Sequence, residues 1–220
     1  MDQNAGDTGE RPTGMLRRLA ILFVAAACGW MVMQMEILGG RALTPYFGSD
    51  VYVVMGSVIG VFLLSLAAGY ALGGWLSGLR ASEAALGLCI AIAGAWSAAV
   101  PLAAEPLSYA LLDAKLGVRW GSLAAAFALF GVPTALLGTV SPTAVRWLTH
   151  SAADSGRTAG LVLAFSTVAS FAGCLVAAFY LVLLSLRLTF YGSGALLMVL
   201  GLAVVFHAVL RGRAAGRGAK

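Results

Sequence analysis

The chain has 220 residues, 60% of them hydrophobic and 10% charged, with a mean hydropathy of +0.93 and a formal charge of +5. A soluble domain carries roughly a quarter charged residues, and a chain this poor in charge would present more apolar surface than water tolerates. The composition excludes a soluble globular domain and predicts an integral membrane protein. The positive balance calls for no nucleic acid: no basic stripe with interleaved aromatics is present, and arginines gathered on the loops of one side give the same total.

Residues 1–14 are polar and glycine-rich and read as a disordered cytoplasmic tail. Six apolar segments follow, at about 18–40, 51–76, 82–104, 120–140, 159–184 and 188–210. Each is near or above the roughly 20 residues that cross about 30 Å of hydrocarbon. A backbone in lipid must satisfy its own hydrogen bonds, so these are helices. The expectation is an all-α, polytopic membrane bundle over residues 15–210, with a basic cytoplasmic tail over 211–220 that can lie against anionic lipid.

The first segment has the outline of a leader, with Arg17-Arg18 before "LAILFVAAAC" and its Cys28. The apolar run continues through Trp30 to Met35, and Ala25 stands where a lipoprotein signal usually has leucine, so the segment reads as a span. With the N-terminus inside, ten of the 14 basic residues fall on the cytoplasmic side, and Arg41, Lys115, Arg119 and Arg187 outside. That asymmetry predicts both termini in the cytoplasm, and the expected location is a bacterial-type inner membrane.

The end of the first segment, "QMEILGGRALTPYFGSD", is polar for its depth. Glu36 falls in its last turn and Gln34 slightly deeper, and an acid there is costly unless it pairs or faces water. Gly39-Gly40 is predicted to end the helix and let the chain fold back. Two readings stay open: an interfacial ion pair of Arg41 with Glu36, or a ligand- or partner-facing pocket beneath a cover of Pro45, Tyr46, Phe47 and Gly48.

The second segment carries Gly56-x-x-x-Gly60 and Gly69-x-x-x-Gly73, and the fifth carries Ser166-x-x-x-Ser170 and Ala169-x-x-x-Gly173. This small-residue spacing lets helix backbones approach closely, and it places helices two and five at the crowded centre of the bundle. The rival reading has Ser65, Ser166, Thr167 and Ser170 lining a polar cavity at mid-depth. After the third segment, "EPLSYALLDAKLGVRW" is amphipathic enough for a short surface helix. The fourth segment would be about 43 Å long if helical from Trp120 to Leu148. Pro133 should kink it, and Ser141-Pro142 has the form of an N-cap followed by proline. A break between Gly138 and Ser141 is therefore predicted, with a short inner-face helix carrying Arg146 and Trp147. Broken helices form substrate sites in transporters, and they also simply end spans.

Cys28, Cys89 and Cys174 are far apart inside apolar runs, and His150 and His207 are isolated, so the spacing calls for no disulfide framework, metal or cofactor.

In order along residues 30–185 stand "MEILGGRALTPYFG", "SVIGVFLLSLAAGYALGGWLS", "PTALLGTVSPTAVRWL" and "GRTAGLVLAFSTVASFAG". This ordered set resembles the membrane domain of the spermidine synthase-like membrane proteins, fused major-facilitator/spermidine synthases. The most specific part is the spacing of Glu36, Gly40, Arg41, Pro45, Tyr46 and Gly48. In many such proteins a cytoplasmic aminopropyltransferase-like domain follows the helices. Here no strand leads into a Gly-rich turn and helix, and no downstream acid is placed for a ribose. The resemblance implies packing like half a major-facilitator transporter and a polyamine or related amine as ligand. Any transfer chemistry would come from a separate soluble aminopropyltransferase-like subunit, and a homodimer would restore a full transporter unit. Glu36 would then be the cation-binding or gating carboxylate, with Gln34 and Arg41 shaping its pocket. The two halves of the chain show no evident residue-level repeat. Two other functions stay open: a non-transporting membrane subunit or scaffold, and a membrane-embedded enzyme acting on a lipid or lipidated substrate with Glu36 and Arg41 catalytic.

Overall fold

The computed structural model describes residues 12–48, 50–78, 82–149, 151 and 153–217, with side chains from 14 to 211. Residues 1–11 of the expected tail, Arg80, His150 and Lys220 lie outside them. The described residues are helical, without a strand: α1 (Pro12–Phe47), α2 (Val51–Gly78), α3 (Glu83–Asp113), α4 (Gly117–Ala126), α5 (Val132–Gly138), α6 (Val140–Leu148), α7 (Ser155–Phe179) and α8 (Leu186–Arg217). Six spans are long and apolar enough to cross a membrane; α4, α5 and α6 together form the fourth, and α7 continues through a 3-10 turn to complete the fifth. Large apolar side chains such as Phe23, Leu63, Phe171 and Phe206 stand exposed on the outside of the bundle. In a multi-pass membrane protein these are the groups that meet lipid.

Lipid offers helices no hydrophobic drive to associate, so close packing and a few polar contacts hold such a bundle together. Spans three and six pack most extensively, followed by spans two and four and then by spans one and five. In the first of these pairs the glycines face one another. A Cβ on Gly87 would lie 2.7 Å from the Gly201 carbonyl oxygen, and one on Gly94 2.7 Å from that of Gly194. The numbers run in opposite directions, so α3 and α8 are antiparallel. Spans one and five are parallel, because Gly29 meets Ser166 and Ser170, Gly173 meets the Trp30 backbone, and Arg41 reaches the Leu184 carbonyl. Hydroxyls tie other pairs: Ser57 to Ser122 at 3.0 Å between spans two and four, and Ser97 to Met35 Sδ at 3.0 Å between spans three and one. Phe62, Phe130 and Phe190 join spans two, four and six, with ring centroids 5.6 and 6.3 Å apart.

The centre is not helices two and five. The fourth span is the most enclosed, span five is among the least, and two and five do not pack along each other. Span two packs on span four, where Gly69 meets Ala135 and Gly138, and Gly73 meets Thr139 and Pro142. Gly56 and Gly60 make no such contact. They are exposed, with nothing within 4 Å of the place a Cβ would occupy, so only the second of the two motifs on α2 packs a helix.

Two expected helix ends, at Gly39-Gly40 and near Ala104, are absent. Gly39 and Gly40 do not end α1, which runs on to Phe47. The Phe130 ring lies over Gly39 and the Met55 sulfur over Gly40, so these glycines give contact room rather than a turn. α3 passes Pro101 and Pro106 to Asp113, so residues 105–113 of the segment expected as a surface helix form the end of span three, with Ser108 buried, and the rest forms the turn and the start of α4. The reversal comes at Lys115 (φ 57°) and Gly117 (φ 68°), left-handed positions of which glycine takes one.

The fourth span accommodates Pro133 through a π-turn over Phe127–Gly131. Proline at 133 leaves the Leu129 carbonyl without its usual helical donor, and Trp96 Nε1 of span three donates to that oxygen at 3.1 Å. Trp96→Phe should therefore expose a buried unpaired carbonyl and cost about 1–3 kcal/mol. Thermal unfolding in detergent checks this, and adding Pro133→Ala, which restores the helical donor, should recover most of the loss. The later interruption is the single residue Thr139. Thr139, not Ser141, holds the cap position, its backbone is helical, and α6 continues inward with Val140, Thr143 and Ala144 buried. Ser141 and Pro142 are thus the second and third residues of α6, and no separate surface helix restarts there.

Candidate functional site

Glu36 stands on α1, about 8 Å beyond the midpoint of the first span by helix rise. Continuation of α1 past Gly40 therefore leaves it well inside the bundle's length rather than at a helix end. Among the described residues it is the one acid more than ten residues inside a span. It is half-buried, and it makes no hydrogen bond or ion pair with any described residue.

Helix periodicity fixes its direction. Residues seven and four apart share a face, so Glu36 lies in line with Gly29 below and Gly40 above. Gly29 is packed by Ser166 and Ser170 of span five, and Gly40 by Met55 of span two. Glu36 therefore sits on the strip of span one between spans two and five, the two spans that do not close on each other. Ser166 and Ser170 share this side, about 10 Å lower along α1. Thr167 is exposed, and Ser65 is buried beside Gly131, away from the strip.

The other residues expected around Glu36 are not there. Gln34, two residues away and so about 200° around the helix, is buried and accepts a hydrogen bond from Trp30 Nε1 at 2.9 Å. Arg41 is about 140° around from Glu36, and its Nη1 donates to the Leu184 carbonyl at 2.9 Å, capping the turn between spans five and six. The expected Glu36–Arg41 pair is not formed, because an unbroken helix keeps the two side chains on different faces. Tyr46 belongs to the same end of the bundle as Arg41. Its ring meets Tyr109 edge-on at 5.5 Å, and the Arg187–Glu105 pair, 3.8 Å apart, is its electrostatic neighbour. Pro45, Tyr46 and Phe47 form helix rather than a loop cover.

A second charged group escaped the sequence reading. Arg17 Nη2 and Arg211 Nη1 lie 2.8 and 3.9 Å from the same Glu83 oxygen, joining the starts of spans one and three to the end of span six. Beside them opens a cavity of about 410 Å³. The residues are 66 and 128 positions apart, so no local pattern signals them.

No group of three or more His, Cys, Asp or Glu is gathered among the described residues in a way that could hold a metal ion. The cysteines are free, with Cys28 buried. Comparisons with protein-family models, with curated proteins and with solved structures return no match. The Glu36 strip presents a lone carboxylate among apolar helix, with two serine hydroxyls about 10 Å along α1, a group able to bind a cation.

Proposed function

We propose that the protein is one six-span half of a transporter-like unit that binds and passes a small amine or related cation, with Glu36 as the cation-binding carboxylate. The observation that carries this is the unpaired state of Glu36 on an open strip inside a span. An intramembrane carboxylate is retained at a cost, and a cationic ligand offsets that cost. Ser166 and Ser170 extend the strip toward the termini-bearing end. The resemblance to spermidine synthase-like membrane proteins favours polyamines as the amine class, with a soluble aminopropyltransferase-like protein as working partner. The arginine asymmetry supports cytoplasmic termini in a bacterial-type inner membrane.

The helix pairings support the half-transporter part of this reading. Exchanging spans one, two and three with four, five and six turns the 1–5 pair into 4–2, 1–2 into 4–5 and 3–4 into 6–1, and leaves 3–6 and 1–4 unchanged. All of these pairs occur, though unequal in extent, and the small 1–3 and 5–6 contacts have no counterpart of the same extent. Gly194 and Gly201 stand 107 residues after Gly87 and Gly94, and Gly173 stands 104 after Gly69, each glycine at the matching helix contact. Three spans repeated in inverted orientation are the construction unit of major-facilitator halves, and a second copy would complete a full transporter unit.

A non-transporting subunit is the second reading, favoured by exposed Gly56 and Gly60 beside a notch of about 630 Å³ that includes Trp120 and Phe127. Uptake of labelled spermidine into proteoliposomes separates the two. Uptake by the wild type that Glu36→Gln abolishes supports transport. No uptake, with another membrane protein co-purifying stably, overturns it in favour of the subunit reading.

A further inference from the structure

The Arg17–Glu83–Arg211 group is the mouth of a cleft between spans one and six. The 410 Å³ cavity beside it adjoins a second of about 330 Å³, and both are lined by Phe23 and Leu200. Together they follow α1 from Arg17 to Gln34, about 25 Å of helix. One leaflet of a bilayer is about 15 Å of hydrocarbon, so the cleft is long enough for a lipid chain. Its walls are apolar throughout the middle, with Ile21, Val24 and Val204 among them, and the Trp30–Gln34 hydrogen bond lies at its far end.

The mouth has the opposite character. Two guanidinium groups face one carboxylate, leaving one positive charge in excess, and His207 beside them adds no negative charge. Arg17 Nε is buried and has no hydrogen-bond partner. An arginine carries five N–H donors arranged to match phosphate oxygens, and a single carboxylate shared with Arg211 leaves most of them unused. A purely structural link among these three helix ends would not need the apolar cleft behind it.

We propose that this cleft binds an anionic phospholipid, its phosphate held by Arg17 and Arg211 and one acyl chain laid between spans one and six. The site is separate from Glu36 and does not depend on the transport reading. A free inorganic anion would occupy the mouth and leave the apolar length empty, so the lipid is the occupant that uses both parts.

The test is binding of phosphatidylglycerol to the delipidated full-length protein in neutral detergent, followed by native mass spectrometry and thermal shift. Phosphatidylcholine and inorganic phosphate are run beside it. Phosphatidylglycerol should bind about tenfold more tightly than phosphatidylcholine, and Arg17→Gln should remove that preference. Ala20→Trp, which fills the cleft wall while leaving the charged mouth intact, should weaken phosphatidylglycerol binding by a similar factor even if Arg17→Gln folds poorly. Equal binding of the two lipids, or phosphatidylglycerol binding unchanged by Ala20→Trp, overturns the proposal. Stabilisation by inorganic phosphate equal to that by phosphatidylglycerol also overturns it, and makes the mouth a free-anion site.

Discussion

Gly94→Leu is expected to disrupt the packing of spans three and six, lowering the thermal unfolding midpoint in detergent by about 10 °C, whereas Gly60→Leu leaves it within error. The two substitutions are chemically identical and both fall in apolar helices. They differ in what the new side chain meets. At Gly94 even a Cβ would lie 2.5 Å from the Met198 amide nitrogen and 2.7 Å from the Gly194 carbonyl oxygen. These are backbone atoms of the facing helix and cannot turn aside, so α3 and α8 must move apart along their length. Overpacking costs about 1–3 kcal/mol in ordinary cores, and a backbone obstacle puts this case at the upper end. For a chain of this size, about 3 kcal/mol corresponds to roughly 6–12 °C. Gly60 has nothing within 4 Å, and a leucine there enters lipid. An equal drop for both variants would mean that the reciprocal glycine contact does not hold these spans together.

The contrast between these glycines also shows what the sequence could and could not convey. The six spans were legible because lipid demands long apolar runs, and that demand is local. Which glycines pack was not legible, because packing is a property of two helices. The four-residue spacing on α2 includes Gly56 and Gly60, which pack no helix, while the closest glycine contacts of spans three and six fall at the seven-residue spacing of Gly87 with Gly94 and of Gly194 with Gly201. Reading Gly39-Gly40 as a stop misplaces the end of α1, whereas Pro133, read as a kink, follows a π-turn. Met55 and Phe130 cover Gly40 and Gly39, and Trp96 satisfies the carbonyl that Pro133 frees, so each helix continues. The same error governed the site. With a turn at Gly39-Gly40, Glu36, Arg41 and Tyr46 could converge; with α1 unbroken they diverge. Glu36 itself was legible, since an acid in an apolar run stands out whatever surrounds it.

Glu36→Gln should weaken amine binding about 100-fold while leaving the fold intact, and Glu36→Asp should retain part of the affinity. Glutamine matches glutamate in shape and keeps a hydrogen-bonding end, so the substitution removes charge and little else. Because Glu36 has no partner among the described residues, no ion pair is broken in the ligand-free protein. Its unfolding midpoint should hold or rise, since an intramembrane charge is itself costly. The loss appears only when the cation arrives. A desolvated charge deprived of its counter-charge forfeits about 3 kcal/mol or more, which is roughly 100-fold in affinity. Aspartate keeps the charge but withdraws it by one methylene, so a shortened side chain should bind more weakly than glutamate and more tightly than glutamine. Isothermal titration of the purified protein with spermidine, paired with its thermal midpoint, reads both halves of the expectation. A Glu36→Gln protein that binds spermidine as tightly as the wild type would remove Glu36 from the site. One that loses binding together with tens of degrees of stability would instead make the carboxylate a structural group whose partner lies among the residues around the strip.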